Sequence, residues 1–203
     1  MIHPHTELRY VSKSIGYGVF ATQFIPQGTI IWVLDELDQK LDESYIYSLD
    51  PIRKSQLIKY CYRDEQGKYV LCWDIARYMN HKFQANCICT AYQFELAAKD
   101  ILPGEELTED YGYFNLDEPF YCFPEKESSR TKVMPDDILH FYPEWDNKAA
   151  ESMKYFNQVD QPLKGLVNPK YMDKVSLVAA GKEPIDSIIS CYYDRFRNFE
   201  VVS

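Results

Sequence analysis

"RYMNHKFQANC", residues 77–87, sets an asparagine and a histidine side by side between Met79 and Lys82. Asn80 offers a carbonyl acceptor and an NH2 donor on one side chain, a set that suits a ligand carrying both an ammonium and a carboxylate. His81, taken alone, reads equally as a core histidine with its hydrogen bonds satisfied. A zinc role would require three further ligands, and no His or Cys pair stands nearby at the right spacing. What the pair does depends on what the rest of the chain brings to it.

The totals narrow the choice. With 203 residues, 46% hydrophobic and 15% of them aromatic, the chain can build a packed core and is not compositionally disordered. A net charge of −9 disfavours direct nucleic-acid binding and favours basic partners. No apolar run approaches the roughly 18 residues a membrane span requires. The opening MIHPHTELRY shows no charged stretch followed by an apolar one. Six dispersed cysteines do not make a disulfide framework. The expectation is a soluble intracellular protein, cytoplasmic or nuclear, with reduced thiols; a secreted effector is the remaining possibility.

Outward from the Asn-His pair, the first half reads as short strands over 8–11, 17–22, 29–34, 69–73, 87–91 and 94–99, separated by turn residues. A helix is expected over 51–60, with Asp50 as its N-cap and Pro51 in its first turn. Beyond residue 130 the pattern becomes helical, with Trp145, Ala149, Met153 and Phe156 on one face. Asn168 and Pro169 open a second helix that Gly181 closes. A last one after Pro184 would align Ile185, Ile188, Ile189, Tyr192 and Phe196. The expected organisation is mainly β with α: a sheet-rich domain over 1–130, with an insert around 38–70, and a helical C-terminal extension over 131–203 packed on it.

Three further stretches carry chemistry. In "SIGYGVFATQFIPQG" (14–28), Gly16 and Gly18 bracket Tyr17 and let the backbone approach a ligand closely. This G-x-G lacks the third glycine and the strand-to-helix setting of a dinucleotide fold. "LPGEELTEDYGYF" (102–114) places Tyr111 after a polar strand and before a glycine. "PFYCFPEKESSR" (119–130) follows.

Taken in order, "IGYGVFA", "ARYMNH…ANC" and "PGEELTEDYG" resemble the SET-domain protein methyltransferases over roughly residues 8–130. The family writes G-x-G, R-F-x-N-H-S-x-x-P-N and G-E-E-L-x-x-D-Y-G at these places. The resemblance implies a fold of small β-sheets in which the segment carrying Tyr111 is threaded beneath a loop near Asn80. It implies S-adenosylmethionine as cofactor, with S-adenosylhomocysteine as product. Gly16, Tyr17, Gly18, Tyr78, Asn80, His81 and Phe120 would be the cofactor-binding residues and Tyr111 the catalytic one. The implied substrate is the lysine ε-amine of a protein, basic in character. The rival readings are methylation of another amine, and a catalytically silent SET fold used as a protein-binding module.

The chain departs from the family at several positions. Lys82 and Phe83 follow the Asn-His pair in place of Ser-Cys. A cysteine-rich zinc module of the form F-x-C-x-C-G-x-x-x-C-R aligns with residues 120–130, but only Cys122 remains among its ligands. Pro124, Ser129 and Phe83 occupy the other positions, so no zinc is expected, and the tail is the candidate to close the wall that module would form. Val33 and Leu34 stand where many members have Glu-Tyr. Glu109 stands where histone-directed members place Phe or Tyr.

Overall fold

The computed structural model describes residues 1–126 and 128–195; Phe196, expected on the last helix, and the rest of 196–203 lie outside the described residues. In chain order the described residues form β1 (Thr6–Ser12), β2 (Gly16–Ala21), β3 (Ile30–Val33), β4 (Gln39–Leu41), α1 (Glu43–Ser48), α2 (Pro51–Ile58), β5 (Cys61–Arg63) and β6 (Tyr69–Leu71). There follow β7 (Asn80–His81), β8 (Cys87–Cys89), β9 (Phe94–Ala97), β10 (Glu106–Glu109), β11 (Phe120–Tyr121), β12 (Lys132–Val133), α3 (Asp137–Met153) and α4 (Pro169–Ala179). Twelve short strands and four α-helices therefore make a mixed architecture, with the strands concentrated before residue 134.

The strands fall into small sheets ordered β1-β2-β10-β7, β3-β9-β8, β4-β6-β5 and β11-β12. β1 and β2 form a hairpin whose turn uses Gly16 at φ +90°, a conformation that a side chain would strain. β10 runs antiparallel to β2 and parallel to β7, which brings Thr108 opposite Asn80 and Glu109 opposite His81. In β3-β9-β8 the register puts Ile30, Leu96 and Ile88 on one face and Trp32, Glu95 and Cys89 on the other. The first face packs against the buried side of α3, where Trp145, Ala149 and Met153 recur at helical spacing and Phe156 follows.

Local chemistry explains most boundaries. Asp50 accepts hydrogen bonds from the Ile52 and Arg53 amides at 3.1 Å and starts α2 before Pro51. Asn168 accepts from the Lys170 amide at 3.1 Å to start α4. Two expectations fail. The helix expected to reach residue 60 ends at Ile58, because Cys61 begins β5 and pairs with Leu71. The stretch after Pro184 forms a short 3-10 turn over Ile188–Cys191, capped by Ser187, and not an amphipathic helix. Its path is set by tertiary hydrogen bonds: the Asp186 amide donates to the Tyr92 hydroxyl and the Ile188 amide to Asp146, both at 2.8 Å.

The stretch after residue 130 is joined to the sheets at defined points. Gln161 accepts from the Ile30 amide at 2.9 Å and donates to the Gly28 carbonyl at 2.8 Å. Asn115 donates to the carbonyls of Arg63 and Cys191 at 3.1 and 2.9 Å. The ring of Trp145 closes over Gly112 so tightly that a Cβ there would come within 2.7 Å of it. Trp145→Ala would empty this contact, and the expected loss is about 3–5 kcal/mol, as for other large-to-small core changes. Urea titration of the variant would read that loss as a lowered midpoint, and an unchanged midpoint would show that α3 does not hold the turn beneath it.

Candidate active site

The Asn-His pair is the whole of β7, so its two side chains are placed by pairing with β10. The Asn80 amide donates to the Tyr17 carbonyl at 3.0 Å and to Glu106 Oε1 at 2.7 Å. Both donors of the side chain are thereby used to tie the G-x-G strand to β10, and Oδ1 is the atom those bonds leave over. Gly18 is the point of closest approach: a Cβ there would lie 2.3 Å from Glu106 Oε1 and 2.8 Å from Asn80 Nδ2. Tyr17 is about half exposed and stands edge-on to Tyr78, with ring centres 6.3 Å apart. Gly16, Tyr17, Gly18, Tyr78 and Asn80 thus gather on one side of β7.

His81 points to the other members of the expected set. Its ring meets Tyr111 at 5.3 Å and Phe120 at 5.9 Å. Nδ1 accepts the Tyr111 amide hydrogen at 3.1 Å, which requires the tautomer protonated at Nε2. Burial, with the nearby Arg130 charge, lowers the His81 pKa to about 4, so the ring is neutral at physiological pH. Nε2 is buried and has no partner among the described residues, leaving one oriented donor available to a ligand.

Tyr111 opens a 3-10 turn, Tyr111–Tyr113, capped by Asp110. Its hydroxyl donates to the Met79 carbonyl at 2.7 Å. Burial, together with the Glu109 and Glu106 carboxyls, pushes the phenol above its ordinary range, so it remains a hydroxyl. Tyr111 and Phe120 also line a cavity of about 610 Å³ that the other residues of the expected set do not reach. Its aromatic wall runs through Trp32, Tyr62, Phe114, Tyr111 and Phe120, with successive ring centres 6.1, 5.4, 5.4 and 5.4 Å apart. Val33, at one of the departures noted in sequence, is fully buried in the core and not in this wall.

A family model described as the SET domain matches residues 16–112. The chain carries a SET domain. No curated protein matches the chain. The matched span of the SET domain takes in the G-x-G strand, β7, β10 and Tyr111, and ends at Gly112, under the Trp145 ring.

Sequence reasoning missed two features in and around this site. Arg130 pairs with Asp110 and Asp137, and its guanidinium lies 4.3 Å from the centres of both the Phe83 and Phe141 rings. Glu125 accepts the Phe83 and Gln84 amides at 2.9 and 3.3 Å. The positions aligned with a zinc module are thus joined by a carboxylate and a cation–π contact. Among the described residues no group of three or more His, Cys, Asp or Glu is placed to hold a metal. The second feature is Glu95. Nothing in "FELA" singles this glutamate out, yet it is 4% exposed and lines the cavity together with Glu109.

Burial raises the Glu95 carboxyl to about 7, and burial with the neighbouring Glu95 charge holds Glu109 well above its usual 4.5. The two titrate as a pair, and burial with mutual repulsion favours a proton shared between them over two adjacent charges. A carboxyl raised on folding stabilises the fold below its unfolded pKa, and that contribution is lost as pH rises through the folded value. His81 acts in the opposite sense, its contribution being lost as pH falls from 6.5 toward about 4. Comparing Glu109→Gln with the unchanged chain cancels the histidine and leaves the carboxyl. The variant should match it near pH 4 and melt a few degrees higher by pH 8. Parallel melting curves across that range would contradict the shared proton.

Proposed function

We propose that this SET domain transfers a methyl group from S-adenosylmethionine to the ε-amine of a lysine in a protein substrate. The observation that carries the reading is the shared position of Tyr111 and Phe120. They belong both to the group around His81 and to the wall of the aromatic cavity, the arrangement a reaction needs when donor and acceptor enter from different sides. The residues present suit the cofactor in three respects. Gly16 has open space where a side chain would stand, His81 Nε2 is an unsatisfied donor, and the Tyr17 and Phe120 rings are exposed enough to receive a planar base.

S-adenosylmethionine, when bound, supplies an electrophilic methyl group on a positively charged sulfur. Gly16, Tyr17, Gly18, Tyr78 and Asn80 would hold it on one side of β7, and His81 and Phe120 on the other. The acceptor amine must be neutral to attack. A free lysine has a pKa near 10.4, so deprotonation at pH 7 costs roughly 4.6 kcal/mol. The aromatic cavity lowers that cost by excluding water from the ammonium. Tyr111 is a protonated phenol and therefore acts by position and polarity, its oxygen orienting methyl and amine in line while its own hydrogen stays on the Met79 carbonyl.

The finer expectations of fold belong to this reading. The threaded path of the segment carrying Tyr111 is supported by β10 lying between an antiparallel and a parallel neighbour. The role of residues 131–203 as a helical extension closing one wall is supported by Trp145 over Gly112 and by Arg130. A basic, lysine-bearing protein partner is supported by the charge of −9. An intracellular setting agrees with six unbridged cysteines.

S-adenosylhomocysteine should bind in calorimetry and raise the melting temperature, with Asn80→Ala removing most of both effects. No binding at millimolar ligand would leave the silent binding module as the better reading. Tyr111→Phe keeps the ring and removes the hydroxyl. Its kcat for labelled methyl transfer into a lysine-containing protein should fall on the order of a hundredfold, about 2.7 kcal/mol in the barrier, with cofactor affinity nearly unchanged. An unchanged kcat would remove the tyrosine from the mechanism.

A further inference from the structure

The aromatic cavity ends on carboxyl groups that its shape alone does not explain. Glu95 and Glu109 arrive from different sheets, β9 and β10, and both are almost wholly buried. Oε2 of Glu95 receives no N–H or hydroxyl hydrogen among the described residues. Placing such an atom away from water without a donor is costly, and it persists where a ligand supplies the missing hydrogen. The floor is also defined in its surroundings. Trp32, the register partner of Glu95 in β3, stands on the same sheet face and is 5% exposed, whereas Phe120 at the other end of the ring series is 41% exposed.

The cavity's own cations are engaged elsewhere. Lys40 lies 3.0 Å from Asp64, and Arg63 pairs with Glu43 and Asp117 at 2.7 and 2.8 Å. The Lys54 ammonium sits 3.6 Å from the Tyr47 ring centre and that of Lys59 5.3 Å from the Tyr60 ring centre, while Arg77 donates to the Cys72 carbonyl at 3.5 Å and lies 5.3 Å from the Tyr78 ring centre. None of these side chains satisfies Glu95. The site therefore combines a rim with paired charges, an aromatic passage, and a buried acid pair with an acceptor left over.

We propose that Glu95 and Glu109 form the receiving site for a primary alkylammonium, Glu95 Oε2 accepting an N–H of the incoming cation at the end of the aromatic passage. The proposal rests on the methyltransferase reading only for the identity of that cation, the side chain of a lysine. The binding chemistry stands without it. Four methylenes lie along the rings, the charge gains from their faces, and the acid pair takes up the ammonium's hydrogen bonds in a dry setting where such bonds are strong. Burial and mutual repulsion disfavour two adjacent charges in the empty site, and an incoming cation favours the ionised form of the pair. A wall of rings alone would admit any slim apolar chain; the acid pair selects a charged one.

The probe is n-butylammonium chloride, which reproduces the end of a lysine side chain, with n-butanol as its neutral counterpart of equal size. Titrated into the full chain at pH 7 without cofactor, n-butylammonium should shift the Trp32 indole N–H resonance, assigned through Trp32→Phe. n-Butanol should bind at least tenfold more weakly. Glu95→Gln and Glu109→Gln should each weaken n-butylammonium at least tenfold and leave n-butanol unchanged. Equal binding of the two probes, or a folded Glu95→Gln chain that keeps its affinity for n-butylammonium, would overturn the proposal. If a variant does not fold, the comparison of probes on the unchanged chain still decides. Loss of the ammonium preference with retained S-adenosylhomocysteine binding would reject this site alone, and the converse would reject the methyltransferase reading alone.

Discussion

The buried carboxylate of Asp110 is the joint on which the rest of the site depends. It accepts the Gly112 amide at 3.0 Å and so caps the turn that carries Tyr111. It also pairs with Arg130, which reaches on to Asp137 at the start of α3. One carboxylate thus sets the backbone of the Tyr111 turn and fastens it to the helix that covers it. Removing one partner from a buried ion pair typically costs about 3–5 kcal/mol, because the other charge is left uncompensated. The Trp145 ring over Gly112 and the Asp110–Arg130 pair reinforce each other, since both require α3 to begin at the same place.

From that joint the site divides. The Asn80 amide, with both hydrogens committed, works as a strut between β2 and β10. His81, neutral and oriented by the Tyr111 amide, keeps its remaining hydrogen on a buried Nε2 that has no partner among the described residues. On the far side of Tyr111 lies the aromatic cavity with its acid pair. In the proposed reaction these halves have opposing tasks. The apolar passage favours the neutral amine that attacks, whereas the carboxyls favour the charged amine that arrives. Burial raises both carboxyls, which moderates the conflict by disfavouring two adjacent negative charges.

The region aligned with a metal module is joined by charge and ring contacts. Arg130 lies between two rings and two carboxylates, and Glu125 accepts two successive amides beside Phe83. These contacts join Phe83 and Gln84 to the stretch around Glu125 and Arg130, and they extend to α3 through Asp137 and Phe141. The length of chain after residue 130 is therefore in direct contact with the segment that the SET match ends on.

Much of this was legible before any fold was seen, and for local reasons. The order of the G-x-G, Asn-His and G-E-E-L-x-x-D-Y-G stretches identified the SET domain, because each stretch is short and its spacing is carried by the chain itself. The helix starts at Asp50-Pro51 and Asn168-Pro169 were legible because capping involves residues two or three apart. The stretch after Pro184 was misread because its apolar spacing mimics a helix, while its path is dictated by Tyr92, Asn115 and Asp146. The acid pair was invisible for the same reason. Glu95 and Glu109 are fourteen positions apart on strands of different sheets, and the alternation of β9 says only that Glu95 faces away from Leu96. Sequence determined which residues carry the SET signature. Only the tertiary structure decided that the other side of β9 is covered, and burial there turns an ordinary glutamate into one half of a shared-proton pair.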